Sequence, residues 1–230
     1  MARLTRLALA GHAHLIALQA LVGLRLFVDD ADREAFLRVL REAGQQHHVA
    51  LHGYTLLDDQ VYLLATPRVA EGLSLLVQSL GRRYVATYNR RRVRRGGLWD
   101  GRYRATILQP GAAVLDALVL IDSQALRAGL VTAPAEAVWS SARHHLGLLR
   151  DPLLATCDEY WRLGNTPFER EEAYRQRMLD GLGSRRVEQL TAAVHKGWAV
   201  GDDAFLAHLA EQTGRPVQPR PRGRPPKPLS

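Results

Sequence analysis

Apolar and polar positions change period several times along the 230-residue chain, and each change marks an element. Residues 11–20, GHAHLIALQA, alternate loosely with period two. That predicts a first strand, because successive strand side chains point to opposite faces. Asp29-Asp30 then offers a cap for a helix to about Ala43, with Phe36, Leu37 and Leu40 on its apolar side and Gly44 at its end. Residues 48–57 and 60–66 read as two strands joined by a tight Asp58-Asp59 turn, and Pro67 stops the second of them. Leu73, Leu76, Val77, Leu80, Tyr84 and Tyr88 recur at helical spacing and predict a long helix from Glu71 to about Arg92. Gly96-Gly97 break it, and residues 102–108 form a fourth strand. The order βαββαβ predicts an α+β fold, a ferredoxin-like antiparallel sheet with two packing helices.

Beyond the sheet the pattern becomes helical. A helix rich in Ala, Leu and Val is expected from about Gly111 to Ala128, followed by a loop over 132–147. Polar helices are expected over roughly 168–182, 184–196 and 202–213, with Ser184 and Asp202 as caps of the last two. Residues 215–230 contain six prolines and cannot pack a core. The organisation expected is therefore a ferredoxin-fold domain over 1–130, a loop and helical region over 131–214, and a disordered Arg/Pro tail over 215–230. The N-terminus has a basic start and a short apolar run, but charge and histidines interrupt it, so it reads as strand and not as a signal peptide. No apolar run approaches the ~20 residues of a membrane span. The single cysteine, Cys157, excludes an internal disulfide framework and a Cys-rich zinc site.

Charge adds a partner to this scaffold. Residues 78–105 hold nine arginines and one acid, Asp100, so this stretch alone matches the formal charge of +8 of the whole chain. The arginines are Arg82, Arg83, Arg90, Arg91, Arg92, Arg94, Arg95, Arg102 and Arg104, and Tyr84, Tyr88, Trp99 and Tyr103 lie among them. Compact positive charge predicts a polyanion, arginine forks suit phosphate, and aromatic faces suit unpaired bases. Tyr84 and Tyr88 sit on the apolar side of their helix and read as core, whereas the Gly-rich approach to Trp99 and Tyr103 predicts their exposure. On a regular helical wheel Arg83, Arg90 and Arg94 fall on one side. In the tail, Arg222 and Arg224 stand in Pro-Arg-Gly-Arg-Pro, which resembles an AT-hook, a minor-groove binder of A·T-rich DNA. DNA as partner implies a cytoplasmic, nucleoid-associated protein.

Several blocks fall in order: Tyr54-Thr55-Leu56-Leu57, Leu63 to Pro67, Gln78 to Tyr84, Leu98 to Tyr103, Arg127-Ala128-Gly129 and Trp139-Ser140-Ser141. Together they resemble the single-tyrosine HUH transposases, specifically the REP-associated branch. Lys196 to Asp202 and the terminal Arg-Gly-Arg-Pro resemble the C-terminal region of that branch. The resemblance implies a nuclease that cuts single-stranded DNA beside a hairpin and thereby transposes DNA. It implies a divalent ion, Mg²⁺ or Mn²⁺, held by two histidines at i and i+2 of a strand, and a helical tyrosine that attacks the scissile phosphorus. A homodimer is left open by it.

Carried onto this chain, that chemistry is replaced. The His-hydrophobic-His strand reads Gln60-Val61-Tyr62, and the nucleophile position is Leu120. Gln124 falls where some relatives place a third ligand, and reads here as an ordinary polar group. An amide oxygen is a weak ligand, a phenol must first lose a proton with a pKa of about 10, and leucine has no lone pair. His12 and His14 share a strand face, and His47, His48 and His52 lie near the second strand, but solvated or core histidines explain them more simply. His144-His145 follow the Trp-Ser-Ser loop with no spaced partner. The expectation is a hairpin- or single-strand-binding protein of transposase type that has lost cleavage and needs no cofactor. Two alternatives stand beside it: an active transposase with an unorthodox site, and an RNA-binding regulator, because the ferredoxin-like sheet also serves RNA recognition.

Overall fold

The computed structural model describes residues 7–219. Four strands form one antiparallel sheet: β1 (His14–Gln19), β2 (Val49–Leu56), β3 (Gln60–Pro67) and β4 (Arg104–Ile107), in the order β2-β3-β1-β4. The expected ferredoxin-like order is therefore present, with β1 and β3 central. A two-residue Asp58-Asp59 turn joins β2 to β3, closed by Leu57 N–H to Gln60 O at 2.8 Å. In β2 the register slips between Leu51 and Gly53, leaving His52 as the extra residue of a bulge. Gly53 is required there: a Cβ would lie 2.9 Å from Leu118 Cδ2 and 3.2 Å from Ser141 Oγ.

Alternation along β1 sends its side chains into two cores. Ile16 and Leu18 face α1 (Asp30–Gln46), α2 (Gly72–Ser79) and α3 (Val85–Arg91), meeting Phe36, Leu40, Leu73, Leu76 and Tyr84. Asp29 caps α1 by accepting from Asp32 N–H at 2.9 Å, as the sequence suggests. Gly44 does not end that helix. It lies buried within it, where a Cβ would come 3.2 Å from Val49 O, so its role is close approach to β2. The expected long helix after β3 is also not uniform. A π-helical turn, Leu80–Tyr84, separates α2 from α3. The extra residue turns everything after it out of the phase a regular wheel assigns.

Leu15 and Ala17 face the opposite way, into a second core built on α4 (Ala112–Asp122) and the C-terminal helices. The helix expected to reach Ala128 breaks at Ser123, and a short α5 (Gln124–Arg127) follows. The 132–147 loop carries a 3₁₀ turn at Pro134–Glu136 and a short α6 (Ala142–His145). The remaining elements are α7 (Asp158–Trp161), α8 (Pro167–Asp180), α9 (Ser184–Lys196) and α10 (Asp203–Thr213). Tyr174, Val187, Leu190 and Val194 from α8 and α9 complete the second core with Leu15, Leu64 and Leu118. Asp202 caps α10 through Phe205 N–H at 2.8 Å, but Ser184 is the first residue of α9, preceded by Gly183, and caps nothing. A third cluster, with Ile107, Ala199, Leu206, Leu209 and Val217, closes the β4 edge; Val217 lies in the segment expected not to pack a core, yet it is 1% exposed and its carbonyl accepts from Ala199 N–H at 2.8 Å, so packing extends past the expected boundary at 215.

A buried polar node ties these layers together. Asp122 at the end of α4 has no exposed surface and accepts from Ser141 Oγ and from Tyr174 OH at 2.7 Å. Its carboxylate also meets His145 Nδ1 at 2.7 Å, while His145 Nε2 meets His52 O at 3.0 Å. Ser, His, Asp and Tyr together could suggest catalysis, but Ser141 and Tyr174 are wholly buried and His145 nearly so. Without access for a substrate, the node works as a bond between α4, α6, α8 and β2.

Candidate nucleic-acid interface

The arginine-rich stretch starts on the π turn and continues through α3 into the loop before β4. Its aromatic residues fix it to the body of the protein. Tyr84 is fully buried, edge-on to Phe36 with centroids 5.1 Å apart, and its hydroxyl donates to Leu26 O. Tyr88 OH donates to Arg25 O at 2.8 Å. Both are core, as their helical spacing predicts.

The arginines then divide into two classes. Arg91 and Arg92 turn inward and pair with Asp29 and Asp32, Arg92 Nη2 lying 2.6 Å from both carboxylates. Burial opposes the charge on Asp29, yet the Asp32 N–H and the guanidinium groups of Arg92 and Arg91 outweigh it and hold its carboxyl below the usual range. Arg83 pairs with Glu42 on α1. Arg94 closes the loop, donating to Asn89 Oδ1 at 3.1 Å and Gly97 O at 2.7 Å. Arg104 donates to His195 Nδ1 and lies 4.0 Å from Asp100. Arg82, Arg90, Arg95 and Arg102 are exposed and have no hydrogen bond or ion pair among the described residues. The expected alignment of Arg83, Arg90 and Arg94 is replaced by these separate environments, because the π turn intervenes and α3 ends at Arg91.

At the tip of the loop Val93 is 96% exposed and sits at φ 48°. A β-branched side chain is strained in this left-handed conformation. It is held there by Arg92 on one side and by Arg94 and Asn89 on the other, since Asn89 Nδ2 also donates to Gly96 O at 2.9 Å. The loop is thus braced, with free arginines and one apolar side chain pointing outward.

Trp99 and Tyr103 lie deeper than their glycine neighbours suggest. Tyr103 is buried in the first core, its hydroxyl 3.1 Å from Ser74 Oγ, so its expected exposure is not found. Trp99 is half-buried against Phe36 and Tyr84, and its Nε1–H has no hydrogen-bond partner among the described residues. It lines a shallow groove with Gln19, Gln78 and Arg102. Arg222 and Arg224 lie outside the described residues, as does the AT-hook-like motif.

The positions singled out for metal and nucleophile face the second core. Tyr62 is 6% exposed there, and Gln60 begins the same strand face. Burial raises the Tyr62 phenol above its ordinary pKa, and the Gln60 amide beside it only partly offsets this. A buried neutral phenol next to an amide does not suit a divalent ion. Leu120 is 1% exposed within the same core, and Gln124 is half-buried on α5. His14 is buried, its Nδ1–H donating to His12 O at 2.7 Å and its Nε2 accepting from Leu9 N–H at 3.3 Å, so both nitrogens are engaged. Next to Gln60, a small polar cavity is lined by Gln19, Gln60, Asp100, Arg102, Arg104 and His195, with room for about one water. Sequence patterns assign no role to His195. They likewise give His145 no partner, although the acid inside the apolar run Leu118–Ile121–Asp122 is a signal that something there must satisfy a carboxylate.

Among the described residues no helix is long and apolar enough to cross a membrane. No family model matches the chain, and no curated protein matches it. The fold is similar to that of a REP-associated tyrosine transposase solved bound to a REP hairpin: TM-score 0.53, 10% identity, 69% of this chain and 93% of that one covered.

Proposed function

We propose that this chain is a transposase-like DNA-binding protein that recognises hairpin or single-stranded DNA and does not cut it. The observation that carries this reading is the set of four exposed arginines, Arg82 on the π turn, Arg90 on α3, and Arg95 and Arg102 in the braced stretch before β4, with no hydrogen bond or ion pair among the described residues. Four cations held outward on a fixed scaffold match a phosphate backbone, whose contacts position a ligand without reading its sequence. The scaffold's likeness to a transposase bound to a hairpin supports DNA as the polyanion.

Loss of cleavage follows from the chemistry at Gln60, Tyr62 and Leu120. In-line attack on phosphorus needs an activated nucleophile and a charge that stabilises the departing oxygen. Leu120 offers neither, and Tyr62 has its pKa pushed upward by burial, opposite to activation. The test is binding of a labelled DNA hairpin, in parallel with an RNA hairpin of the same sequence, followed by denaturing electrophoresis after incubation with Mg²⁺ or Mn²⁺. Tight binding of DNA without a covalent adduct is the expected result. An adduct would overturn the loss of cleavage, and preference for RNA would overturn DNA as the ligand.

A further inference from the structure

The C-terminal segment closes one edge of the sheet and, in doing so, builds a groove. α9 ends at Lys196, and Gly197 at φ 71° turns the chain sharply. The next residues run beside β4: Val200 N–H donates to Ile107 O at 2.9 Å, Gln109 N–H to Val200 O at 2.8 Å, and the Thr106 hydroxyl to Trp198 O. Between this elbow and the stretch 100–105 lies a groove of about 420 Å³. Arg102, Arg104, Lys196 and Arg215 line it against one acid, Asp100, together with His195 and the half-exposed Trp198. The volume falls at the lower end of small-ligand sites, roughly 300–1,000 Å³, a size that suits about one nucleotide.

We infer that this groove is a subsite for an unpaired DNA strand, with backbone phosphate at Arg102 and Lys196 and a base against Trp198. The inference rests on the DNA-binding reading above and adds to it a place and a pH dependence. A base within a duplex has both faces covered by its neighbours, so only an unpaired one can stack on an indole. Arg102 and Lys196 are exposed and carry no internal partner among the described residues, so their charge is available to a phosphate. Arg102 also lines the neighbouring groove with Gln78 and Trp99, so the two grooves share one exposed guanidinium.

His195 gives the subsite a pH dependence. Arginine can only donate, so the Arg104 contact makes His195 Nδ1 an acceptor and leaves the ring neutral with its proton on Nε2. Burial, and then the Arg104 charge, lower the His195 pKa. A phosphate in the groove favours the imidazolium, and protonation of Nδ1 breaks the Arg104 contact and frees that guanidinium for the ligand. Of the groups that face the groove, Asp100, Arg102, Arg104, Lys196, Arg215, Tyr103 and His195, only histidine ordinarily titrates between about pH 5 and 8. Binding therefore takes up a proton and strengthens as pH falls through that interval.

Two DNA hairpins test this, one blunt and one carrying a short oligothymidylate flank, titrated by fluorescence anisotropy. Wild type binds the flanked hairpin more tightly. Arg102→Ala with Lys196→Ala removes most of that gain, at least about tenfold, and flattens the salt slope for the flanked hairpin by about 1.4, from two phosphates at about 0.7 each. The blunt hairpin changes less, because only Arg102 borders its surface. Trp198→Leu removes quenching of indole fluorescence by oligothymidylate. His195→Gln keeps an acceptor for Arg104 but abolishes the gain in flank affinity between about pH 7.5 and 5.5. Wild type that binds both hairpins equally, or a double variant that keeps the gain, overturns the subsite and leaves the DNA reading intact. Wild type that binds neither hairpin overturns both.

Discussion

The division of the arginines is open to direct test, because the two classes must respond differently to the same substitution. Arg82→Ala, Arg90→Ala and Arg95→Ala together remove three exposed cations with no partner among the described residues. If four such arginines, including Arg102, neutralise one phosphate each, log K against log salt for single-stranded DNA has a slope of about −2.8, and the triple variant flattens it by about 2. Its melting temperature stays at the wild-type value, since nothing internal is lost. Arg91→Ala with Arg92→Ala does the opposite. Asp32 is 1% exposed and keeps only the Val28 N–H at 3.1 Å once both guanidinium groups are gone. Stripping the partners from a buried carboxylate costs about 3–5 kcal/mol. The two arginine side chains are themselves 33% and 27% exposed, which reduces the expectation to about 2–4 kcal/mol. Anisotropy titrations over a range of KCl concentrations give the slope, and urea denaturation followed by circular dichroism gives the stability. A double Arg91/Arg92 variant that melts like wild type while flattening the salt slope by more than the triple variant would refute the assignment, and the internal ion pairs with it.

Four further substitutions probe the cores. Leu120→Tyr places a hydroxyl and extra volume where Leu120 is 1% exposed, and should cost about 1–3 kcal/mol in denaturant titration; an unchanged midpoint would mean an open cleft. His14 has its pKa pulled down to about 4 by burial, so the unfolded chain binds the proton more readily and stability is lost as pH falls from about 6.5 towards 4; the loss between pH 7 and 5 is about 2 kcal/mol, and His14→Gln should flatten that part of the profile. Asp122→Ala leaves Tyr174, Ser141 and His145 without their acceptor and should destabilise by about 3–5 kcal/mol, with Tyr174→Phe costing far less; equal costs would place the node's energy in the tyrosine and not in the carboxylate.

The sheet was legible because its signals are local. The Asp58-Asp59 turn, Pro67 and the Asp29 cap each act within a few residues, and each stands where its chemistry requires. What period and punctuation could not reveal depends on approach from elsewhere in the chain. Gly44 reads as a helix stop, yet it is a place where α1 meets β2 at Val49 O. The π turn is invisible to a count of apolar spacing, because Leu80 and Tyr84 are four apart in either geometry and both are buried. Asp122 draws its partners from positions 19, 23 and 52 residues away, so no motif length captures the node. The groove at β4 likewise needs Lys196 and Trp198 brought back beside Arg102 by an edge pairing that composition does not announce.

Charge density alone misjudges the ligand surface, and the reason bears on how such a surface works. Acids that the linear sequence places far from the arginine run, Asp29, Asp32 and Glu42, all lie on or beside α1, against which the π turn and α3 pack. They bind the arginines that face α1 and leave those that face outward. This reduces the number of phosphates the loop can meet, but it also fixes the loop before any ligand arrives. A flexible arginine run would have to be ordered on binding, at about 0.5–1.5 kcal/mol for each long side chain immobilised and more for the backbone. Here Arg92 holds one flank of the loop, and Arg94 and Asn89 hold the other tightly enough to keep Val93 at a strained positive φ. On the DNA-binding reading, the inward ion pairs would aid binding without touching the ligand: they use part of the charge to fix the backbone, so that the four outward arginines lose only their own side-chain freedom.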